Sequence, residues 1–132
     1  MSEPPARFRV FVVDDEIIIA STLATILQRN GLDAVYFTDP LEVLPAARLG
    51  PPDLLITDVV MPVLSGIDLA IDLKEEYPRC KVLLFSGQAA TANLLQAAKD
   101  KGHDFELISK PIHPTDFLKK IRNVTQEPEP VL

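Results

Sequence analysis

Short β-branched and apolar runs alternate five times with longer stretches of helical periodicity, and this alternation constrains the fold of the chain more than any other feature. The first run, Phe8–Asp14 (FRVFVVD), is apolar at nearly every position after Arg9, as a strand buried on both faces should be. The stretch that follows carries Ile19, Leu23, Ile26 and Leu27 at helical spacing and stops at Asn30-Gly31. Asp33–Phe37, Leu54–Asp58, Lys81–Ser86 and Phe105–Ser109 read as the remaining strands. Asp39-Pro40 starts the second helix as a cap followed by proline, and Pro45 inside it predicts a short, kinked or displaced element.

Ser65 is placed to cap a third helix running to about Tyr77, with Leu69, Leu73 and Tyr77 on one face and Pro78 at its end. A fourth helix spans about Ala90 to Lys101, ending at Gly102, and a fifth sets Phe117, Ile121 and Val124 in register. Five β/α units in alternation imply an α/β fold, with a parallel sheet covered by helices on both faces. The expected layout is a disordered N-terminus over residues 1–6, one domain over 7–124, and a Pro/Glu-rich disordered tail or linker stub over 125–132.

Sheets of this kind place ligands at the carboxyl ends of their strands. Those ends carry Asp14-Asp15 followed by Glu16, then Asp58, then Ser86-Gly87, then Lys110-Pro111. Taken singly, each pair is ordinary turn chemistry. Taken together they bring three carboxylates, a hydroxyl and an ammonium to one edge. Crowded carboxylates raise one another's pKa unless a cation relieves them. Mg²⁺ favours such oxygen ligands, whereas Cys80, His103 and His113 do not fall at zinc-ligand spacing. A metal, a lysine and a hydroxyl around a carboxylate suit phosphoryl transfer, with the carboxylate itself as nucleophile.

The bulk numbers exclude other classes. A net charge of −6 argues against direct binding to nucleic acid or to an anionic membrane. The first residues, MSEPPARFR, have no apolar core of a secretory signal, and no apolar run approaches the ~18 residues of a membrane span. The single cysteine, Cys80, rules out an internal disulfide and suits a reducing compartment, so a soluble, cytoplasmic chain is expected.

The residues at the strand ends give the chain a family likeness. With Asp14-Asp15, TDVVMPVLSG around Asp58, Ser86-Gly87 and Lys110-Pro111, it resembles the receiver domain of two-component response regulators, in its single-domain, CheY-like form, over nearly its whole length. The resemblance implies a flavodoxin-like (βα)5 doubly wound parallel sheet of strand order 2-1-3-4-5. It makes Asp58 the phosphoacceptor, with Asp14, Asp15, Asp58 and the Val60 carbonyl around Mg²⁺ (or Mn²⁺), and Ser86 and Lys110 on the phosphoryl group. It also implies a cis peptide before Pro111 and a readout through helix four, strand five and helix five.

The phosphodonor would be a histidine kinase or a histidine phosphotransfer protein, the target an unknown downstream protein, and a phosphorylation-dependent homodimer is allowed. The chain departs from the family pattern at Leu107, three residues before the lysine, where an aromatic switch residue often stands. Phe105 is expected to share the face of Leu107. Val60 and Gln88 are expected to flank the acceptor, with Val60 unable to orient a hydrolytic water. The competing class is a Mg²⁺-dependent phosphohydrolase with an aspartate nucleophile. It is disfavoured because Val60 has no proton to offer and little chain remains for a substrate cap. The chain is therefore expected to catalyse only its own phosphorylation and dephosphorylation.

Overall fold

A computed structural model describes residues 8–87, 91–103 and 105–125. Five parallel strands form one sheet in the order β2-β1-β3-β4-β5. The strands are β1 (Arg9–Val13), β2 (Asp33–Phe37), β3 (Leu54–Asp58), β4 (Lys81–Ser86) and β5 (Glu106–Ser109). The helices are α1 (Ile17–Arg29), α2 (Val43–Leu49), α3 (Gly66–Glu76), α4 (Thr91–Asp100) and α5 (Pro114–Thr125). The flavodoxin-like order expected from the sequence is the order observed.

Alternation along the strands splits the core into two layers. Phe11, Val13, Leu55, Val82 and Leu84 meet α2, α3 and α4 through Val43, Ala47, Leu69, Leu73 and Ala98. Val10, Val12, Leu54, Ile56, Leu83 and Phe85 meet α1 and α5 through Ala24, Leu27, Phe117 and Ile121. Both faces of the central strands are therefore dry, which is why their sequences read as continuous apolar runs rather than as alternating ones.

Several local expectations are met by identifiable chemistry. Asp39 accepts a hydrogen bond from the Leu41 amide, capping a 3-10 turn over Pro40–Glu42 that leads into α2. α2 has only seven residues, and Pro45 lies in its first turn, where a missing N–H costs little. Ser65 accepts from the Asp68 amide and caps α3. α1 stops at Gly31, whose φ of +86° is a left-handed conformation natural to glycine.

Four boundaries and one helix face differ from the sequence reading. Phe8 and Asp14 flank β1 rather than belong to it, and Phe105 precedes β5, because ladder pairing begins at Arg9 and Glu106 and, in β1, ends at Val13. α5 continues through Thr125, one residue past the Val124 at which the sequence pattern ends it. In α1 the fully buried stripe is Ala20, Ala24 and Leu27, with Leu23 and Ile26 at its margin. Small residues let α1 lie close to the sheet, which turns the larger ones to the sides. Cys80 is buried rather than semi-buried, and burial pushes its thiol up to about 12. Residues 1–6, residues 126–132 and Gln88 lie outside the described residues, so the readings made of them do too.

Candidate functional site

The register of the sheet sets where the chemistry-bearing side chains meet. β1 pairs with β3 as far as Val13–Thr57, and β3 pairs with β4 as far as Asp58–Phe85. Asp14 and Asp58 therefore emerge side by side at the carboxyl edge. β4 and β5 end together at Ser86–Ser109, and the Lys110 amide donates to the Ser86 carbonyl at 2.9 Å. Lys110 thus leaves the sheet next to Ser86, and the Lys110-Pro111 peptide is cis, as the family resemblance implied.

From that position the Lys110 ammonium reaches Asp14 Oδ2 at 3.0 Å and Asp58 Oδ1 at 3.4 Å. It also lies 5.3 Å from the centre of the Phe85 ring, a cation–π distance. The Glu16 amide donates to Asp14 Oδ1 at 2.9 Å, so both oxygens of the buried Asp14 are engaged. Carboxylate oxygens of Asp14, Asp15 and Asp58 lie within 4.8 Å of one another. A hollow of about 340 Å³, lined by Asp15, Glu16, Asp58, Val60, Gly87 and Lys110, opens over them.

The electrostatics are uneven. Burial raises the Asp58 pKa, the nearby Lys110 pulls it down, and Asp14 adds to the rise, so that the net shift is upward. Burial works against the Lys110 charge, but its hydrogen bond to Asp14 and the fields of Asp58 and Asp14 outweigh that cost and raise its pKa. One cation thus serves two carboxylates and leaves Asp58 short of compensation. An all-oxygen set with a buried, a half-buried and an exposed carboxylate suits a hard cation that keeps part of its water shell, so the cluster can bind a metal ion.

The loop that follows Asp58 is held at both ends. The Val59 amide donates to the Phe85 carbonyl, and the Gly66 amide donates to the Val59 carbonyl at 2.8 Å. A Cβ on Gly66 would fall 1.8 Å from the Asp58 carbonyl oxygen, so only glycine fits there. Val63, at the tip, is β-branched yet adopts φ of +73°, a strained left-handed conformation.

The structure gathers Asp14, Asp15, Asp58, Ser86 and Lys110 at one edge, with Val60 on the rim of the hollow. Ser86 is buried there. Leu107 lies apart, packed with Phe105 on the α3–α4 side of the sheet, as strand alternation predicted for the pair. Residue spacing does not single out Thr57, whose buried hydroxyl donates to the Asp58 carbonyl at 2.9 Å. The available signal is the lone hydroxyl in the apolar run LLIT. A larger hollow of about 430 Å³ opens at the opposite edge of the sheet, among Pro51, Pro52, Tyr77 and Pro78, away from this chemistry.

Parallel sheet, strand order and acidic edge define a class. Residues 10–122 match the response regulator receiver domain, and the chain belongs to that family, the receiver domains of two-component signalling. Transcriptional regulatory protein CreB of Escherichia coli is 30% identical over 132 residues, covering 96% of this chain and 57% of CreB. Response regulator receiver protein CpdR of Brucella abortus is 29% identical, covering 88% of this chain and 95% of CpdR. Chemotaxis protein CheY4 of Vibrio cholerae superposes with a TM-score of 0.80 at 25% identity, over 90% of this chain and 99% of that one. The chain spans about half the length of the first curated relatives it matches, 57% of CreB and 47% of "Probable transcriptional regulatory protein TcrX" of Mycobacterium tuberculosis. Among the described residues no helix is long and apolar enough to cross a membrane.

Proposed function

We propose that this chain is a phosphoacceptor switch in which Asp58 takes a phosphoryl group from a histidine kinase or a histidine phosphotransfer protein. The observation that carries the reading is the convergence of Lys110 on Asp14 and Asp58 beside the acidic trio. Asp58 Oδ attacks phosphorus, a P–O bond forms, the P–N bond of the donor imidazole breaks, and the imidazole leaves with its electron pair. Lys110, already 3.4 Å from the acceptor oxygen, turns to the new dianion and neutralises it. Ser86 donates a hydrogen bond to a phosphoryl oxygen. Asp14, Asp15, Asp58 and the Val60 carbonyl would hold Mg²⁺ (or Mn²⁺), which would supply positive charge to the phosphoryl oxygens.

Because the Ser86 carbonyl is tied to the Lys110 amide, a shift of Ser86 toward the phosphoryl group pulls on the end of β5. That couples the acceptor to the α4–β5–α5 surface, which a downstream protein, or a second phosphorylated copy, would read. Leu107 leaves this route without an aromatic rotamer change. The reading sets the chain in the cytoplasm and limits its catalysis to its own phosphorylation and dephosphorylation.

The test is incubation with Mg²⁺ and acetyl phosphate, followed by intact mass, alongside an assay of phosphate release from p-nitrophenyl phosphate. A single hydroxylamine-labile phosphoryl adduct with no ester turnover is expected. Sustained turnover of the ester would replace this reading by the Mg²⁺-dependent phosphohydrolase.

A further inference from the structure

We infer that Thr57 is a positioning residue for the acceptor and the metal, acting through the carbonyl of Asp58. This rests on the phosphoacceptor reading. The β1–β3 pairing closes at Val13–Thr57, so the Asp58 carbonyl lies one residue past the last pair on the β1 side. The Thr57 hydroxyl donates to it at 2.9 Å, and Thr57 is wholly buried. The α-carbon of Gly66 closes over the same spot: a Cβ there would meet the Asp58 carbonyl oxygen at 1.8 Å and Thr57 Oγ1 at 2.9 Å.

The hydroxyl therefore fixes the Asp58–Val59 peptide plane against the start of α3. On the other side the same stretch is pinned by Val59 N–H to the Phe85 carbonyl and by Gly66 N–H to the Val59 carbonyl. A peptide plane held from both sides fixes where the Asp58 side chain leaves the backbone and where the carbonyl of Val60, two residues on, is aimed. Valine at position 57 keeps the shape of threonine but leaves a buried carbonyl without this donor, and the plane is then held from the Val59 N–H side alone. Serine keeps the donor and loses only a methyl group.

The experiment compares the parent, Thr57→Val and Thr57→Ser by Mg²⁺ titration followed by NMR, with the rate of phosphorylation by acetyl phosphate as a second readout. Thr57→Val is expected to weaken Mg²⁺ binding about tenfold or more and to slow phosphorylation, while Thr57→Ser stays within about twofold of the parent. Val binding Mg²⁺ as tightly as the parent, or Ser impaired as much as Val, would overturn the role. A parent that neither binds Mg²⁺ nor accepts a phosphoryl group would instead sink the phosphoacceptor reading itself. Should Thr57→Val not fold, Thr57→Ala against Thr57→Ser makes the same comparison: loss confined to Ala supports the role, and equal loss in both overturns it.

Discussion

The Lys110 ammonium lies 3.0 Å from Asp14 Oδ2, closer than its 3.4 Å approach to Asp58 Oδ1. The nearer partner is the deeply buried one, and its other oxygen is held by the Glu16 amide. Asp58 is left with the weaker share of one cation in a site that already disfavours its charge. Loss of stability at Asp58 is thus built into the fold.

Asp58→Asn is expected to stabilise the protein at neutral pH. The raised Asp58 pKa means that the folded state holds this proton more tightly than the unfolded chain does. Its contribution is favourable below the ordinary carboxylate pKa and is lost as pH rises through the raised value. Thermal melts without metal should show Asp58→Asn several degrees above the parent at pH 7. The gap should close at a pH below the ordinary carboxylate range.

Lys110→Met should do the opposite. It strips the charged partner from Asp14, and breaking a buried pair on one side typically costs about 3 kcal/mol. Adding Asp58→Asn to Lys110→Met should recover part of the loss, because one of the two unrelieved carboxylates is gone. Denaturant unfolding of the two single variants and the double variant measures this as a non-additive cycle.

Divalent cation should reverse the destabilisation. At a hundred times its dissociation constant Mg²⁺ would add about 2.7 kcal/mol to the folded state. A proton competes for Asp58 at a higher pH than for an ordinary carboxylate, so Mg²⁺ should raise the melting temperature more at pH 8 than at pH 5. Asp14→Asn and Asp58→Asn should each blunt the effect.

The loop after Asp58 gives two opposite outcomes. Gly66→Ala drives a methyl into the Asp58 carbonyl and should cost about 3 kcal/mol, at the upper end of overpacking. Val63→Asn should stabilise by about 1 kcal/mol, because asparagine tolerates the left-handed backbone and an 86%-exposed valine gives up little burial. Both are read from chemical denaturation.

Much of this was legible in the residues. Runs such as RVFVV and LLITD announce strands buried on both sides, and Ser65, Asp39 and Gly31 mark helix ends through their own hydrogen bonding and backbone preference. The strand-end rule alone names Asp14, Asp15, Asp58, Ser86 and Lys110. What the pattern does not contain is how a lysine divides itself between two carboxylates, which depends on register and distance. The left-handed Val63 was equally hidden, since valine normally signals extended backbone. The rotation of α1 toward Ala20 and Ala24 follows from how near the helix lies to the sheet, a tertiary fact.

The most direct measurement is to find which residue carries the phosphoryl group. After reaction with acetyl phosphate and Mg²⁺, borohydride reduction converts an aspartyl phosphate to homoserine, and peptide mass spectrometry then locates the change. The account predicts homoserine at position 58 alone, with none formed in Asp58→Asn or after chelation of the metal. Modification at another residue, or undiminished labelling of Asp58→Asn, would contradict it.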